Sequence, residues 1–402
     1  MAEGGFNIIG LPDILSKSYH NKVAVIKESI KQLNKPSNLE LTTIIKRRYS
    51  LKTVKVIYFV KVCERDLKVG LRVDLMARFK VEVGFYNSII PSISEFQRSK
   101  GVYFDRLYYH LFPLCIGARI STDIDRKVPD ESGVLLLENL KEKGYSTPEA
   151  KEGLDLAGCK LVLARMAQMH AVPLAMRLIK RDMFEERIVP TLMAVQQEKN
   201  IYCRQYINEL IDLGLKSKTI TAFIESIRMN VDISLCNYCI SNPPENSGWK
   251  TLCHSNLSNS NIMIYNKNRR PRECKILGFK DIQYSHCCND LLFFLFTSVN
   301  YDVLEDDFNL LINYYFFALQ NVIEEYEVAS WNYSINDFHK EVDREGPLML
   351  VKILEAVANI TCDKYDRNGH PVVGRKFEKK LIFILKFMIS RKWFRPSIKT
   401  SS

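Results

Sequence analysis

Glycine is missing from a long early stretch, with none between Gly10 and Gly70. A backbone that approaches phosphate oxygens closely uses glycine, because a side chain blocks the approach. The absence therefore argues against a glycine-rich phosphate cradle in the first strands. No run of about eighteen uninterrupted apolar residues is present, so no membrane-spanning helix is expected. The opening MAEGGFNIIGLPDIL has no basic segment followed by an apolar one, so no secretory signal is expected. The eleven cysteines are an odd count, dispersed through 402 residues. A chain of that size does not need staples, and reduced, buried thiols in a cytoplasmic protein are the expectation. Cys236-Asn237-Tyr238-Cys239 has no second pair nearby and Cys287-Cys288 is merely adjacent, so neither predicts structural zinc. Lys46-Arg47-Arg48, Arg269-Arg270 and Lys379-Lys380 are short clusters within a net charge of +11. Scattered in this way, without interleaved aromatics or a recognisable motif, they read as solvated surface that attracts anions and not as a nucleic-acid interface.

What is present suffices for a large core, since 47% of the residues are hydrophobic. Helical spacing of Ile14, Leu15, Val25, Ile26, Ile30 and Leu33 predicts a helix over 11–33. Residues 39–48 and 54–62 read as strands joined by a turn, and 134–137 as a buried strand. A long helix is expected over 148–174, with Thr147 as its cap and Pro148 in its first turn. His170 falls on the apolar stripe of that helix, the position of a hydrogen-bonded core histidine. Further helices are expected over 291–299, 308–326, 336–360 and 375–391, with Asp290 as N-cap of the first.

The stretch 251–295 organises the rest. It runs strand, polar loop, short strand, basic turn, second strand, loop and apolar helix. His254, Asn261 and Asp290-Leu291, the last followed by LFFLFTS, match a pattern of H-G-D-x-x-x-x-N, a strand ending D-F-Q, then D-L before an aromatic helix. The stretch resembles the insect ecdysteroid-kinase-like family (the CHK kinase-like group, related to choline kinases and aminoglycoside phosphotransferases). The resemblance extends to Phe59-Val60-Lys61, to the segment 79–86 with Glu82, to VLLLENL over 134–140 and to LVLARMAQMHA over 161–171. It implies an α+β, two-lobed, protein-kinase-like fold. The N-lobe would span 1–137, with an antiparallel sheet and a Lys61–Glu82 pair on a nucleotide-facing strand and its neighbouring helix. The hinge would span 138–147, where Glu138, Asn139 and Leu140 would meet the adenine of ATP. A helical C-lobe over 148–402 would carry a degenerate catalytic loop at 254–261.

The departures are as informative as the matches. Ser255 stands for the glycine, Asn256 for the catalytic aspartate, and Gly278-Phe279-Lys280 for D-F-Q. Counting back the family's usual twelve residues from Asp290 lands on Gly278. A second register puts Asp281-Ile282-Gln283 at D-F-Q, with a loop three residues shorter. Along an extended chain that shift moves a side chain by about 10 Å and reverses its face. Phosphoryl transfer needs the acceptor hydroxyl oriented, its proton taken, and the phosphate charge screened by metal. Asn256 keeps a carbonyl acceptor but no basic oxygen, and losing a general base costs about 10²–10⁴ in rate. Gly278 removes the hard oxygen ligand that magnesium demands, leaving Asn261 as a partial ligand and Asp281 as substitute only in the second register. His254 is expected to brace the loop. The expectation is a catalytically impaired, pseudokinase-like protein that retains nucleotide or small-ligand binding, with ATP a candidate and Mg2+ without its main ligand. The alternative is an active ATP-dependent kinase acting on a hydroxyl of a steroid or other small molecule. The partner is a small-molecule ligand or a protein, and no nucleic acid is expected.

Overall fold

In β2 (Asn38–Arg47) every second residue turns inward, placing Leu39, Leu41, Thr43 and Ile45 out of solvent. That period of two is the sequence signal of a half-buried strand. β2 lies between β1 (Val23–Gln32) and β3 (Thr53–Val62) in an antiparallel sheet of order β1-β2-β3-β5-β4, where β4 is Cys115–Arg119 and β5 Val134–Glu138. One sheet face packs with α1 (Leu11–Ser18) into a core of Leu11, Leu15, Leu41, Tyr58, Val60 and Leu136 among others. Computed as a structural model, the structure describes residues 8–33, 37–48, 50, 52–63, 69–149, 153–192, 204–240, 248–367 and 369–396.

Two compact units result, the first made of Met1–Ser146, Ile179–Gln197 and Met263–Ile282, the second of Thr147–Leu178, Glu198–Ile262 and Gln283–Ser402. The first also contains α2 (Val69–Gly84), which continues through a π-helical turn, Phe85–Ile89, into α3 (Ile90–Ser99). β6 (Tyr145–Ser146), β8 (Ile262–Lys267) and β9 (Arg270–Ile276) form a second, three-stranded sheet. The second unit is mostly helical. It holds α4 (Leu156–Ile179), after which the chain makes the short α5 (Arg181–Arg187) and α6 (Val189–Leu192) of the first unit. It then continues with α7 (Arg204–Asp212), α8 (Lys218–Thr221), α9 (Ile224–Ile240), α10 (Cys287–Ser298), α11 (Tyr301–Glu324), α12 (Ile335–Leu348), α13 (Leu350–Thr361) and α14 (Arg375–Ser390). Its one strand pair near the loop of interest is β7 (Lys250–Cys253) with β10 (Gln283–His286). The architecture is α+β: an antiparallel sheet unit and a largely helical one.

Three local expectations change. The helix over 11–33 ends at Ser18, and 23–32 is β1. A bulge between Val25 and Lys27 flips the strand's facing, so Val23, Val25 and Ile30 all turn toward the core and imitate a helical spacing. The helix expected from 148 begins at Leu156, capped by Asp155, whose carboxylate accepts the Gly158 amide at 2.8 Å. The helix over 336–360 is broken at Met349 into α12 and α13, one residue after Pro347-Leu348. Among the described residues no helix is long and apolar enough to cross a membrane.

Candidate functional site

Strand alternation decides where Lys61 points. Val60 and Val62 turn into the core, so Lys61, opposite Leu135 of β5, lies on the other sheet face. There its Nζ donates to Glu82 Oε1 of α2 at 2.5 Å. Glu82 is 3% exposed while the lysine side chain keeps 20% of its surface in solvent. Four residues earlier on the same helix, Arg78 Nη1 reaches Asp281 Oδ1 at 2.5 Å.

After β9 the chain turns at Gly278, whose φ of 81° is a left-handed conformation that glycine adopts without a Cβ penalty. The next residue, Phe279, is buried and stacks on Phe85 with ring centroids 3.7 Å apart and planes within 9°. Phe112 and Tyr86 meet it edge-on. Asp281 ends the short 3-10 turn Phe279–Asp281, its carboxylate held by Arg78.

The segment expected to meet adenine is folded on itself. Glu138 donates its backbone N–H to the Leu114 carbonyl at 2.9 Å, and its carboxylate accepts from the Leu114 amide at 2.9 Å and from the Lys143 ammonium. Asn139 accepts the Lys141 amide at 3.1 Å, and the Leu140 carbonyl accepts the Lys143 and Tyr145 amides at 3.0 and 3.1 Å.

In the second unit, β7 delivers the loop that starts at His254. Asp290, expected as a helix cap, is instead a brace for this loop, and the cap of α10 is His286, whose side chain accepts the Cys288 amide. Asp290 sits in the first turn of α10, fully buried, and accepts the His254 amide at 2.5 Å and the Ser255 amide at 2.7 Å. Its third partner is His170 Nε2 of α4, at 3.1 Å, while His170 Nδ1 lies 2.6 Å from the Tyr315 hydroxyl. Burial alone would raise the Asp290 pKa. The hydrogen bond and charge of His170, with His254 and Lys352 beyond it, hold the carboxyl below the usual carboxylate range.

Held in this way, Ser255 adopts φ 63°, a left-handed conformation for a residue with a Cβ. His254 Nδ1 accepts the Asn256 amide at 3.2 Å, and Asn261 Nδ2 donates to the Asn256 carbonyl at 2.8 Å. The loop is thus tied at both ends by its own side chains.

The structure joins Lys61 with Glu82, and His254 with Asn256 and Asn261. Sequence reasoning had placed His170 and Asp290 in separate structural roles and had missed Arg78 and Tyr315. A buried aspartate in a helix's first turn, with a histidine on another apolar stripe, was the available signal. The Cys236–Cys239 side chains and part of the glycine-poor turn near residue 50 lie outside the described residues.

A sequence profile described as the ecdysteroid kinase-like family matches residues 39–328. No curated protein matches the chain. Among solved structures, one from Ralstonia eutropha, provisionally described as an aminoglycoside phosphotransferase, is similar at 10% identity and TM-score 0.43, covering 94% of this chain and 98% of that one. The GDP complex of aminoglycoside 2'-phosphotransferase-IIIa is similar at 11% identity and TM-score 0.38, covering 96% and 100%.

Proposed function

This chain belongs to the ecdysteroid kinase-like family, and from that membership we propose a catalytically impaired kinase-like protein that retains binding of a nucleotide or small ligand. The observation that carries the reading is chemical. Asn256 stands where the family pattern has its catalytic aspartate, and Gly278 where it has its metal-binding one. A side-chain amide cannot take a proton from an acceptor hydroxyl at neutral pH. The donor set does not fit magnesium, which demands hard, anionic oxygens in near-octahedral array. Glycine offers no side chain, and Asn261, whose Nδ2 donates to the Asn256 carbonyl, brings a single neutral amide oxygen.

Asp281, the residue on which an active enzyme would depend, is 12% exposed at its side chain and paired with Arg78. A carboxylate in such a pair would have to give up its guanidinium partner before it could hold a cation. What the scaffold keeps is the Lys61–Glu82 pair and the loop brace. Both support binding without chemistry.

The test incubates the purified chain with Mg-ATP and a panel of hydroxylated small molecules, steroids included, and follows ATP consumption. Turnover no faster than background is expected, and at least a hundredfold rise in Asn256→Asp/Gly278→Asp, from the recovered general base alone. Turnover by the unsubstituted chain that Asp281→Ala abolishes would establish the active enzyme instead.

A further inference from the structure

We propose that α14 and the hairpin before it dock the second unit on an anionic membrane surface, lying against the bilayer and not across it. The chain's positive charge is concentrated there. Residues 375–395 hold eight Lys or Arg and a single acid, Glu378, in a chain whose net charge is +11. α14 is two-sided: Phe377, Leu381, Ile384, Leu385 and Met388 are all buried. At about 100° per residue, Arg375, Lys376, Lys379 and Lys386 share an arc of about 100° on the opposite side. All four are exposed. Arg375 and Lys376 stand in the first turn, where cations oppose the helix dipole, so helix stability does not account for them.

No acid cancels this face. Glu378 lies off the arc, and its carboxylate accepts from the Lys216 ammonium at 2.9 Å, on the neighbouring 3-10 turn Leu213–Lys216. Among the described residues no carboxylate pairs with Arg375, Lys376, Lys379 or Lys386. The other cations of the helix region are engaged differently. Lys380 sits over the Tyr301 ring, 5.3 Å from its centroid, and Arg391 pairs with Asp343 at 2.9 Å. Cations repeated along one face of a helix, without a cleft around them, match a plane of headgroups.

An apolar edge accompanies the charge. The last turn of α13 carries Ile360, and the chain then forms a hairpin of β11 (Lys364–Tyr365) and β12 (Pro371–Val372), with Lys364 opposite Val372. Ile360, Tyr365 and Val372 keep 37%, 57% and 40% of their surface in solvent, and Lys364 and Arg367 are exposed beside them. Of the two acids here, Asp363 and Asp366, the second accepts the hairpin's own His370 amide at 2.8 Å. A tyrosine and aliphatic side chains flanked by cations are the composition that settles at headgroup level. A nucleic-acid backbone would use the cations and leave the apolar edge wet. The contact stands whether or not the chain transfers phosphate.

Co-sedimentation of the full chain with vesicles of phosphatidylcholine and phosphatidylserine, beside vesicles of phosphatidylcholine alone, tests this. Binding to the acidic vesicles only is expected, weakening as salt is added. Each cation near such a surface contributes about fivefold, so Lys379→Gln/Lys386→Gln should lose about 25-fold in affinity. Both positions are exposed and glutamine suits a helix, so the fold is retained. The same charge removed from the exposed Lys46 and Lys55 of the first unit, as Lys46→Gln/Lys55→Gln, should cost less than about threefold. Tyr365→Ser should weaken binding several-fold through the lost apolar contact. Wild-type chain left in the supernatant with acidic vesicles overturns the proposal, whether or not RNA binds the same lysines. So does an equal loss in the two lysine pairs. Binding that Tyr365→Ser leaves unchanged also overturns it, since a site for a bare polyanion would behave in that way.

Discussion

A single carboxylate, Asp290, decides whether the loop at 254–261 keeps its shape. Three groups depend on it: two backbone amides and His170. Asp290→Asn leaves at most one good acceptor among them. Hydrogen bonds to a charged acceptor are worth about 1.5–3 kcal/mol each, so a loss of about 3 kcal/mol is expected in urea denaturation at pH 7. The sign of the pH dependence follows from the depressed folded-state pKa. Asp290 contributes fully above its unfolded value of about 3.9 and loses that contribution as pH falls through the lower folded value. The wild-type loop should therefore weaken on acidification below about pH 4, and Asp290→Asn should lack that part of the slope. Lys61 and Glu82 make the second residue-scale case. Lys61→Ala strands an almost fully buried carboxylate, and because the lysine is partly solvated about 2 kcal/mol is expected, less than for a wholly buried pair. Lys61→Met combined with Glu82→Leu should lose less than Lys61→Ala alone, measured by the same denaturation curves.

At the scale of elements, the packing of α1 on the sheet rests on a missing side chain. A Cβ on Gly117 of β4 would overlap the Ile14 side chain of α1. Gly117→Ala should cost about 1–3 kcal/mol by overpacking, and Ile14→Ala added to it should recover part of that loss in thermal melts. A melt unchanged by Gly117→Ala would mean that α1 does not sit where described. The same region shows how far the sequence was legible. β2 and β3 announced themselves because their alternation is unbroken. β1 did not, because its bulge resets the alternation within one strand and leaves an apolar spacing close to a helix turn. The start of α4 was misplaced for a related reason. Thr147-Pro148 has the local chemistry of a helix opening, but Asp155 supplies the cap. In the site, residue types were readable and partners were not: Arg78 and Asp281 are 203 positions apart, and nothing in either neighbourhood names the other.

Taken whole, the molecule keeps the framework of a kinase-like protein, with an antiparallel sheet unit bearing Lys61 and Glu82 and a helical unit bearing the braced loop. Its net charge of +11 favours anionic ligands in general. In the proposed reading, Asn256 and Gly278 stand where a divalent ion and an acceptor alcohol would each require a carboxylate. Calorimetric titration of ATP into the chain with and without magnesium tests that reading most directly. The predicted result is an affinity that magnesium changes by less than tenfold, under about 1.4 kcal/mol, whether binding is weak or firm. Affinity at least a hundredfold tighter with magnesium would contradict the account.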